Sequence, residues 1–171
     1  MNSEKIEFRP CGVAELKKVL ELEESVLTTL DKEELLRRNE VEMWKNCLQP
    51  PHYCLGAWAG EKLIALAVLY IPQEGDGEAL APLLQTVHTE RHKAAHFKIC
   101  LVHPNWRGQH LQVTLGAQLH AEAQRQGYNL LCATASPINI ASIKNLQRLG
   151  YKADHKWRKY GFERILLYCF N

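Results

Sequence analysis

The chain has 171 residues, of which 46% are hydrophobic and 23% are charged. This length suits one domain that buries a core and is too short for two well-packed domains. No apolar run approaches the roughly 20 residues that a membrane-spanning helix needs, which excludes a spanning protein. The charged start at residues 1–5 has no apolar segment behind it, so we expect no secretory signal peptide and a cytoplasmic location.

The six cysteines are too dilute for a disulfide-stapled secreted scaffold, and no two of them form a Cys-x-x-Cys pair. This spacing argues against a zinc or redox site, and we expect no bound metal. Instead, the cysteines are expected to be small buried side chains in a reducing compartment. They are Cys11, Cys47, Cys54, Cys100, Cys132 and Cys169.

The net charge of +2 is unevenly distributed along the chain. Residues 1–90 hold 9 basic and 16 acidic side chains, whereas residues 91–171 hold 12 basic and 3 acidic ones. This asymmetry indicates an anionic ligand on one side of the molecule and a cationic one on the other, the alternative being ordinary solvated surface. Neither nucleic acid nor a membrane is an expected partner. The nearest approach to a basic stripe interleaved with aromatics is the short segment 152–160.

The first half of the chain is predicted to hold a strand, two helices and a hairpin. In order, these are a strand at 5–9, helices at 13–27 and 31–47, and strands at 53–58 and 62–70. Asp31 is the predicted N-cap of the second helix, which Pro50 and Pro51 stop. Residues 72–94 have the weakest pattern and are read either as a mobile loop or as carrying a short helix near residues 80–87.

The second half alternates strands and helices. In order, these are a strand at 96–102, a helix at 111–127, a strand at 130–135, a helix at 139–149, and strands at 152–159 and 164–170. Gly127 and Gly150 supply the helix stops. The element order is therefore β-α-α-β-β-β-α-β-α-β-β, without an internal repeat or a linker. This order predicts one α/β domain over residues 1–171 with a mixed sheet.

Residues 99–112 carry the clearest functional signal, because a strand there runs into a tight loop that opens a helix. The first amides of a helix lack intrahelical partners, and the helix dipole adds positive potential, so a pyrophosphate fits at such a junction. Gly108 allows a close approach of the backbone, and Arg107 adds a fixed cation. Many junctions of this kind bind nothing, so this pattern alone leaves both readings open.

Two short motifs resemble signatures of the GNAT acetyltransferase superfamily. Residues 102–108, Val-His-Pro-Asn-Trp-Arg-Gly, resemble the V-x-P-x-x-R-G entry to its acetyl-CoA loop, whose pattern is Q/R-x-x-G-x-G/A. Residues 139–142, Asn-Ile-Ala-Ser, and 149–151, Leu-Gly-Tyr, resemble the N-x-x-S and L-G-F/Y signature of the next helix. The two motifs lie about thirty residues apart with a strand between them, and the order of elements matches over nearly the whole chain.

The resemblance implies a single GNAT-like α/β domain. Its mixed, mostly antiparallel sheet of six or seven strands would splay between the fourth and fifth strands and carry helices on both faces. The implied activity is N-acetyl transfer from acetyl-CoA to a primary amine of a small molecule or peptide, directly within a ternary complex. The sequence decides neither the acceptor nor the length of the acyl chain.

The resemblance also implies which residues hold the acetyl-CoA co-substrate. The splay would leave backbone groups on the fourth strand free to pair with pantetheine amides, as an added strand would. The loop would hold the pyrophosphate, and two asparagines would bind the pantetheine arm. Asn139 has a competing role as a helix N-cap, and Asn145 as an ordinary polar surface residue. The full set is Cys100, Leu101, Val102, Arg107, Gly108, Gln109, His110, Leu111, Gln112, Asn139 and Asn145.

Three positions depart from the family pattern. His110 and Gln112 stand where the loop pattern has small residues, and their side chains narrow the approach of the backbone to the phosphates. Leu146 stands seven residues past Asn139, where many members have a tyrosine that protonates the departing thiolate. The usual general acid is therefore in doubt. The remaining candidates are Tyr151, Tyr160, Tyr168 and Cys132, with water as a further alternative, since a thiol of pKa about 8.5 needs little protonation.

His96 is the candidate general base. By resemblance, a frequent base of the family lies six residues before the valine of the loop, which is His96 when counted from Val102. Histidine suits the role because its ordinary pKa is near ambient pH. Strict alternation predicts that residues 96, 98, 100 and 102 share one face of the strand, with 97, 99 and 101 on the other. The alternative is a hydrogen-bonded or exposed histidine at the start of a strand.

In relatives, the first two helices frame the acceptor pocket, and here they are acidic. They carry Glu21, Glu23, Glu24, Asp31, Glu33, Glu34, Glu40 and Glu42. This charge favours a cationic amine as acceptor, against the alternative of solvated helix faces. A second hypothesis for the whole chain is a CoA-binding sensor or interaction module that has lost catalysis. The edge strands, such as the final one, are compatible with a homodimer.

Overall fold

Seven strands and four helices account for most of the chain. The strands are β1 (Ile6–Cys11), β2 (Tyr53–Ala59), β3 (Lys62–Tyr70), β4 (Ala94–Val102), β5 (Leu130–Ala135), β6 (Lys152–Lys159) and β7 (Phe162–Phe170). The helices are α1 (Leu16–Leu27), α2 (Val41–Cys47), α3 (Leu111–Arg125) and α4 (Ile140–Arg148). This computed structural model describes residues 4–32, 35–159 and 161–171. Within those ranges, no helix has the length and apolar character needed to cross a bilayer.

The strands form one sheet in the order β1-β2-β3-β4-β5-β7-β6. Every neighbouring pair is antiparallel except β4 and β5, which are parallel because α3 connects them as a crossover. The predicted order of elements and the mixed sheet are thereby confirmed. The final strand, β7, lies between β5 and β6, so the expectation that it forms an edge is wrong, and the edges are β1 and β6.

Helices cover both faces of the sheet, as predicted. On one face, α3 buries a stripe at helical spacing that packs with Leu146 of α4 against β2 to β5 and β7. That stripe consists of Leu111, Leu115, Leu119 and Ala123. On the other face, α1 and α2 bury Val19, Leu22, Val26, Trp44 and Cys47 over β2, β3 and β4. All six cysteines are free thiols, and five of them are buried.

Two predicted boundaries in the first half are wrong. The second helix does not begin at Asp31, because α2 starts at Val41 with Glu40 as its N-cap residue. Asp31 is exposed, and residues 33–34 lie outside the described part of the chain. The first strand does not end before Pro10 but continues through Cys11. An edge strand tolerates proline, because the amide that proline lacks has no neighbour to bond there.

The segment between β3 and β4 has a single 3-10 turn, Ala81–Leu83, at the place where a short helix near residues 80–87 was one of the two readings. It contains two single-turn 3-10 helices and buries Leu80 and Leu84 against β5 and β7. Asp154 of β6 accepts hydrogen bonds from the backbone amides of Gln85 (3.0 Å) and Thr86 (2.9 Å). These contacts hold the segment against β5, β6 and β7.

Candidate active site

The sheet splits along its middle. Parallel pairing between β4 and β5 covers only Ala94–His96 against Leu130–Cys132. Beyond these three pairs, the strands diverge while β4 continues to Val102. The backbone of residues 100–102 therefore pairs with β3 on one side only, where Leu66 opposes Leu101. This split confirms the splay between the fourth and fifth strands that the sequence led us to expect.

A β-bulge in β4 lies at the point where the strands separate. Val68 of β3 pairs with Ile99, but the next residue, Leu69, pairs with Phe97, so Lys98 is an extra residue in β4. Phe97 consequently packs toward α3 and α4 with residues 100 and 102, whereas Ile99 packs toward α1 and α2. The strict alternation predicted for residues 96–102 is therefore wrong, because one inserted residue reverses the faces of the strand after it.

A cleft of about 1400 Å³ passes through this split. It begins on the α3–α4 side, where residues 106–112 and α4 line it, and it continues between β4 and Ala133–Ala135 of β5. On the opposite side, it reaches the end of α1, residues 30–32 and 35–40, and the adjoining ends of β6 and β7 at Lys159 and Phe162. The cleft therefore joins the loop before α3 to a chamber beneath α1.

The loop that opens α3 presents backbone amides to this cleft. The first intrahelical bond runs from the Thr114 amide to the His110 carbonyl (3.0 Å), so the amides of residues 111–113 precede the hydrogen-bond ladder. Gly108 (φ 80°) and His110 (φ 57°) both adopt left-handed backbone conformations. His110 is the only non-glycine residue with a positive φ in the described part of the chain. A histidine therefore adopts a conformation that usually favours glycine, and the loop keeps its turn without one.

Three cations line the cleft around this loop: Arg107, Lys144 and Arg148. Arg107 donates from Nη2 to Thr29 Oγ1 across the cleft (3.1 Å). Arg148 Nη1, from the last turn of α4, lies 3.2 Å from His110 Nδ1. Amides at a helix start together with nearby cations are the groups that commonly bind phosphate in proteins.

The side chain of Gln112 connects the loop to α4. Its Nε2 donates to Ser142 Oγ (3.3 Å), and its Oε1 accepts from Asn145 Nδ2 (3.0 Å). The N-cap role predicted for Asn139 is confirmed, because Asn139 Oδ1 accepts from the Ser142 amide (3.2 Å). Both asparagines line the cleft, with Asn145 already engaged by Gln112.

Most of the residues that the resemblance implied for cofactor binding come together here. Nine of them line the cleft: Cys100, Val102, Arg107, Gly108, His110, Leu111, Gln112, Asn139 and Asn145. Leu101 and Gln109 do not line it, because the Leu101 side chain is buried in the core beneath α1 and Gln109 faces solvent.

His96 lies in the cleft wall but is 1% exposed. Its Nε2 accepts the backbone amide of Leu80 (3.1 Å), and its ring stacks at 5.7 Å on that of Tyr70. Burial, together with the smaller effect of the Lys98 charge, lowers the pKa of His96 to about 3. A neutral imidazole with its Nε2 lone pair occupied is poorly placed to take a proton directly. The base role of His96 stays a prediction, and these contacts favour a positioning role.

Three charged side chains meet at the far side of the split, and we name them the Glu78 cluster: Glu78, Lys98 and Lys159. Glu78 Oε2 lies 3.1 Å from Lys98 Nζ and 3.2 Å from Lys159 Nζ. Partial burial would raise the pKa of Glu78, but the two ammonium charges outweigh it and lower the pKa to about 2. The cluster joins β4 to the end of β6 across the gap, on the side of the sheet that carries α1.

None of the described candidates for the general acid reaches the cleft. Tyr151 is buried, and its hydroxyl lies 3.0 Å from His120 Nε2, while burial raises its pKa well above the usual value. Cys132 is buried, and its pKa rises to about 12 for the same reason. Tyr168 packs near Leu80, and Tyr160 lies outside the described residues. Leu146 does line the cleft, but its side chain carries no proton.

Three acidic residues of the first two helices and the segment between them are already engaged by neighbouring side chains. Glu23 accepts two hydrogen bonds from Asn39, Glu24 pairs with Arg38 at 2.7 Å, and Glu42 pairs with Lys45. Among the acids named for this region, Asp31 and Glu40 line the cleft, whereas Glu33 and Glu34 lie outside the described residues. The physical basis for a cationic acceptor is therefore weaker than the sequence suggested.

Sequence reasoning missed the Glu78 cluster and the cations of α4. Glu78 lies in the segment with the weakest pattern, and Lys159 ends a strand near the opposite end of the chain. No local motif marks either residue, since their contact spans 81 positions. Arg148 had a weak signal as a basic residue in the last turn of a helix, but such residues usually interact only with the helix dipole.

Solved structures share this fold. The chain matches the GNAT domain of S. lividans PAT with 19% identity and a TM-score of 0.72, over 97% of this chain and 90% of that one. It matches the ribosomal-protein-S18-alanine N-acetyltransferase of Escherichia coli with 14% identity and a TM-score of 0.72, over 97% and 94% of the chains. Arabidopsis thaliana NAA60 in complex with acetyl-CoA matches with 14% identity and a TM-score of 0.74, over 97% and 98%.

The sequence itself identifies the family. No curated protein sequence matches the chain. A family model described as the acetyltransferase (GNAT) family matches residues 16–151, which include both motifs, the split in the sheet and the loop before α3. The resemblance inferred from those motifs is thereby confirmed. The chain belongs to the acetyltransferase (GNAT) family, whose members take the acetyl group from acetyl-CoA.

Proposed function

We propose that this protein transfers the acetyl group of acetyl-CoA to a primary amine of a small molecule or peptide, directly within a ternary complex. The observation that carries the proposal is the cleft that joins a diphosphate site at the start of α3 to a chamber on the other side of a split sheet. A long donor with an anionic end and a reactive thioester end requires such a passage.

Different residues of this chain bind different parts of the donor. The amides of residues 111–113, with Arg107 and Arg148, hold the diphosphate. The edge of β4 at residues 100–102 pairs with the amides of the pantetheine arm as a further strand would. Asn139 and Asn145 line the same passage and offer side-chain amides to the arm. Leu101 and Gln109 take part only through their backbone, because their side chains lie outside the cleft.

The transfer forms a C–N bond and breaks the thioester C–S bond, and the departing thiolate takes the proton that the attacking nitrogen loses as the tetrahedral intermediate collapses. The ammonium of the acceptor gives up an earlier proton before attack. Water in the cleft accepts that proton in our proposal, and His96 holds Leu80 and the wall of the chamber in place. The departing thiolate is stabilised by the positive charge of Lys98, which lines the cleft beside the bulge. This arrangement requires neither a tyrosine at position 146 nor a strong base.

Two measurements, made one after the other, test the proposal. Acetyl-CoA should raise the melting temperature, with a stabilisation of about 2.7 kcal/mol at a concentration one hundred times Kd. Thiol release should then depend on an added amine, measured over a panel of amino acids, polyamines, aminoglycosides and short peptides. The absence of stabilisation by acetyl-CoA would contradict donor binding, and with it the whole proposal.

The alternative is a CoA-binding module without catalysis, and the observation that favours it is the leucine at position 146. Leu146 is 2% exposed and offers no proton to a thiolate. This alternative predicts stabilisation by acetyl-CoA together with no amine-dependent thiol release over the whole panel. Amine-dependent release that titrates with protein concentration excludes it.

A further inference from the structure

The chamber beneath α1 has an apolar side. Apolar side chains from the end of α1, from the segment after it and from α2 line the cleft there, and each of them is partly exposed. A single exposed leucine carries no information, but several that converge on one cavity are typical of a binding pocket. We name this set the apolar wall, and it consists of Leu27, Leu30, Leu35, Leu36 and Met43.

The apolar wall extends to the split in the sheet. Leu30, Leu36 and Met43 pack against the buried cluster that contains Val26 of α1 and Ile99 of β4. Val26 and Ile99 also line the cleft. Ile99 follows the bulge at which β4 separates from β5, so an apolar surface runs from the split, where the proposed function places the thioester, to the outer part of the chamber.

The charged side chains on this side of the chamber are more exposed than the apolar wall. Among the described residues between 31 and 40, every charged side chain that lines the cleft is exposed to solvent. These are Asp31, Lys32, Arg37, Arg38 and Glu40. On the sheet side, the chamber is lined by the ion-paired Glu78 cluster. Apolar side chains below and polar groups at the margin suit a ligand with an apolar body and one polar end.

Hydrogen bonds hold the apolar wall against α1. Glu23 of α1 is 2% exposed, and its Oε2 accepts from the backbone amide of Asn39 (3.2 Å) and from Asn39 Nδ2 (3.0 Å). At the end of α1, Thr29 Oγ1 donates to the Val26 carbonyl (2.8 Å) and accepts from Arg107. The segment that carries most of the wall is therefore tied to α1 near both of its ends. Such a surface needs little ordering when a ligand binds.

We propose that the acceptor carries an apolar group beside its primary amine, and that the apolar wall binds this group. This inference rests on the proposed function and specifies its substrate class. The apolar group loses its contact with water on the wall, while the amine of the same molecule faces the split. Aliphatic monoamines, amides of apolar amino acids and peptides with an apolar first residue share this chemistry.

Matched amines test the inference in the wild type. Pentylamine is compared with propylamine and with the amino alcohol of the same chain length, whose far end is a hydroxyl. Burial of one methylene raises kcat/KM about fourfold, so pentylamine should exceed propylamine by roughly tenfold or more. It should exceed the amino alcohol by a similar factor, because the hydroxyl would lose its hydrogen bonds to water on the wall.

Two further pairs distinguish the sources of this chemistry. Leucinamide is compared with asparaginamide, and the tripeptide amide Leu-Ala-Ala with Asn-Ala-Ala, since leucine and asparagine side chains have similar shapes. A preference for leucine that is confined to the tripeptides identifies peptides as the acceptors. A preference shown by the free amides and by pentylamine identifies small molecules.

Polar replacements in the apolar wall locate the binding surface. Leu36→Asn and Met43→Gln should each reduce the preference for pentylamine over the amino alcohol by roughly fivefold or more, whereas Leu36→Met should keep it. Leu20→Asn is the matched control, because Leu20 is partly buried against the same core cluster and does not line the cleft. Acetyl-CoA should stabilise every variant as it stabilises the wild type, which shows that each is folded and binds the donor.

Two results overturn the inference and leave the proposed acetyl transfer intact. One is turnover of the amino alcohol by the wild type that equals or exceeds turnover of pentylamine. The other is an unchanged preference in both Leu36→Asn and Met43→Gln. A wild type that acetyl-CoA fails to stabilise, or that releases no thiol with any amine, contradicts the proposed function itself, so the two failures are distinguishable.

Discussion

The two ends of the cleft are built in different ways. The end that we propose holds the diphosphate, here called the diphosphate end, is made of consecutive backbone amides in residues 107–113, supported by side chains of the next helix. The end that we propose faces the acceptor, here called the acceptor end, is made of side chains from separate elements, where Glu78 meets Lys98 across 20 positions of sequence and Lys159 across 81. Backbone geometry tolerates changes of side chain, so the first end keeps its shape even with His110 in place of a glycine. The second end depends on the identity and position of each side chain.

The largest effect is expected from Arg107→Ala at the diphosphate end. A hydrogen bond to a charged group contributes about 1.5–3 kcal/mol, so the Kd for acetyl-CoA should rise by roughly 10- to 100-fold. Isothermal titration at two salt concentrations measures this change. Arg125→Ala is the control, because Arg125 is exposed at the far end of α3 and pairs with Glu122. An unchanged Kd in Arg107→Ala would mean that this loop does not hold the diphosphate.

The next effect concerns the left-handed conformation of His110. A β-branched residue adopts this conformation poorly, at a cost of roughly 1–2 kcal/mol, so His110→Val should weaken acetyl-CoA binding about tenfold. His110→Gly should bind within about twofold of the wild type, because glycine adopts the same φ without strain. Isothermal titration of both variants with acetyl-CoA measures these changes in Kd. Equal losses in the two would show that the histidine side chain, rather than the turn, matters for binding.

The third prediction concerns His96, which lies in the wall of the acceptor end of the cleft. His96→Ala leaves the buried Leu80 amide without its acceptor, so the free energy of unfolding should fall by about 1–3 kcal/mol. His96→Gln keeps an acceptor and has no titratable ring, and its kcat with the best amine should stay within about threefold of the wild type. Urea unfolding and a pH–rate profile measure the two effects. A fall of about 100-fold in kcat for His96→Gln, at unchanged stability, would establish His96 as the base.

The smallest effect is the pH dependence of stability that arises from Glu78. Its pKa is lowered from 4.5 to about 2 in the folded protein. A group with a lowered folded pKa stabilises the protein above its unfolded pKa, and this contribution is lost as the pH falls from about 4.5 toward 2. Asp154, whose pKa is also lowered to about 2, contributes in the same direction.

The variant Glu78→Gln should therefore lose less stability than the wild type between pH 4.5 and pH 2, as measured by urea midpoints. Glu61→Gln is the matched control, since the side chain of Glu61 is 99% exposed. A wild-type and Glu78→Gln pair with parallel pH profiles would show that the two lysines do not act on Glu78 in solution.

Much of the fold and of the diphosphate end was predictable, because both depend on local pattern. Helical spacing located α3, and two contiguous motifs located the loop and the N-cap at Asn139. The bulge at Lys98 was not predictable, since an inserted residue leaves no trace in a strand that alternates on both sides of it. The Glu78 cluster was not predictable either. Its members share no motif, and only the folded segment between β3 and β4 brings them together.

The short seam between β4 and β5 has a mechanical consequence for the range of acyl groups. Only three residue pairs join the two halves of the sheet there, and no ladder hydrogen bond links β4 to β5 beyond His96. A wider separation of the two strands beyond these pairs therefore breaks no hydrogen bond between β4 and β5. In the proposed function, the width available to the acyl group therefore depends on how closely α3 and α4 pack over the gap and on Glu78, which pairs with both Lys98 and Lys159 on the opposite side.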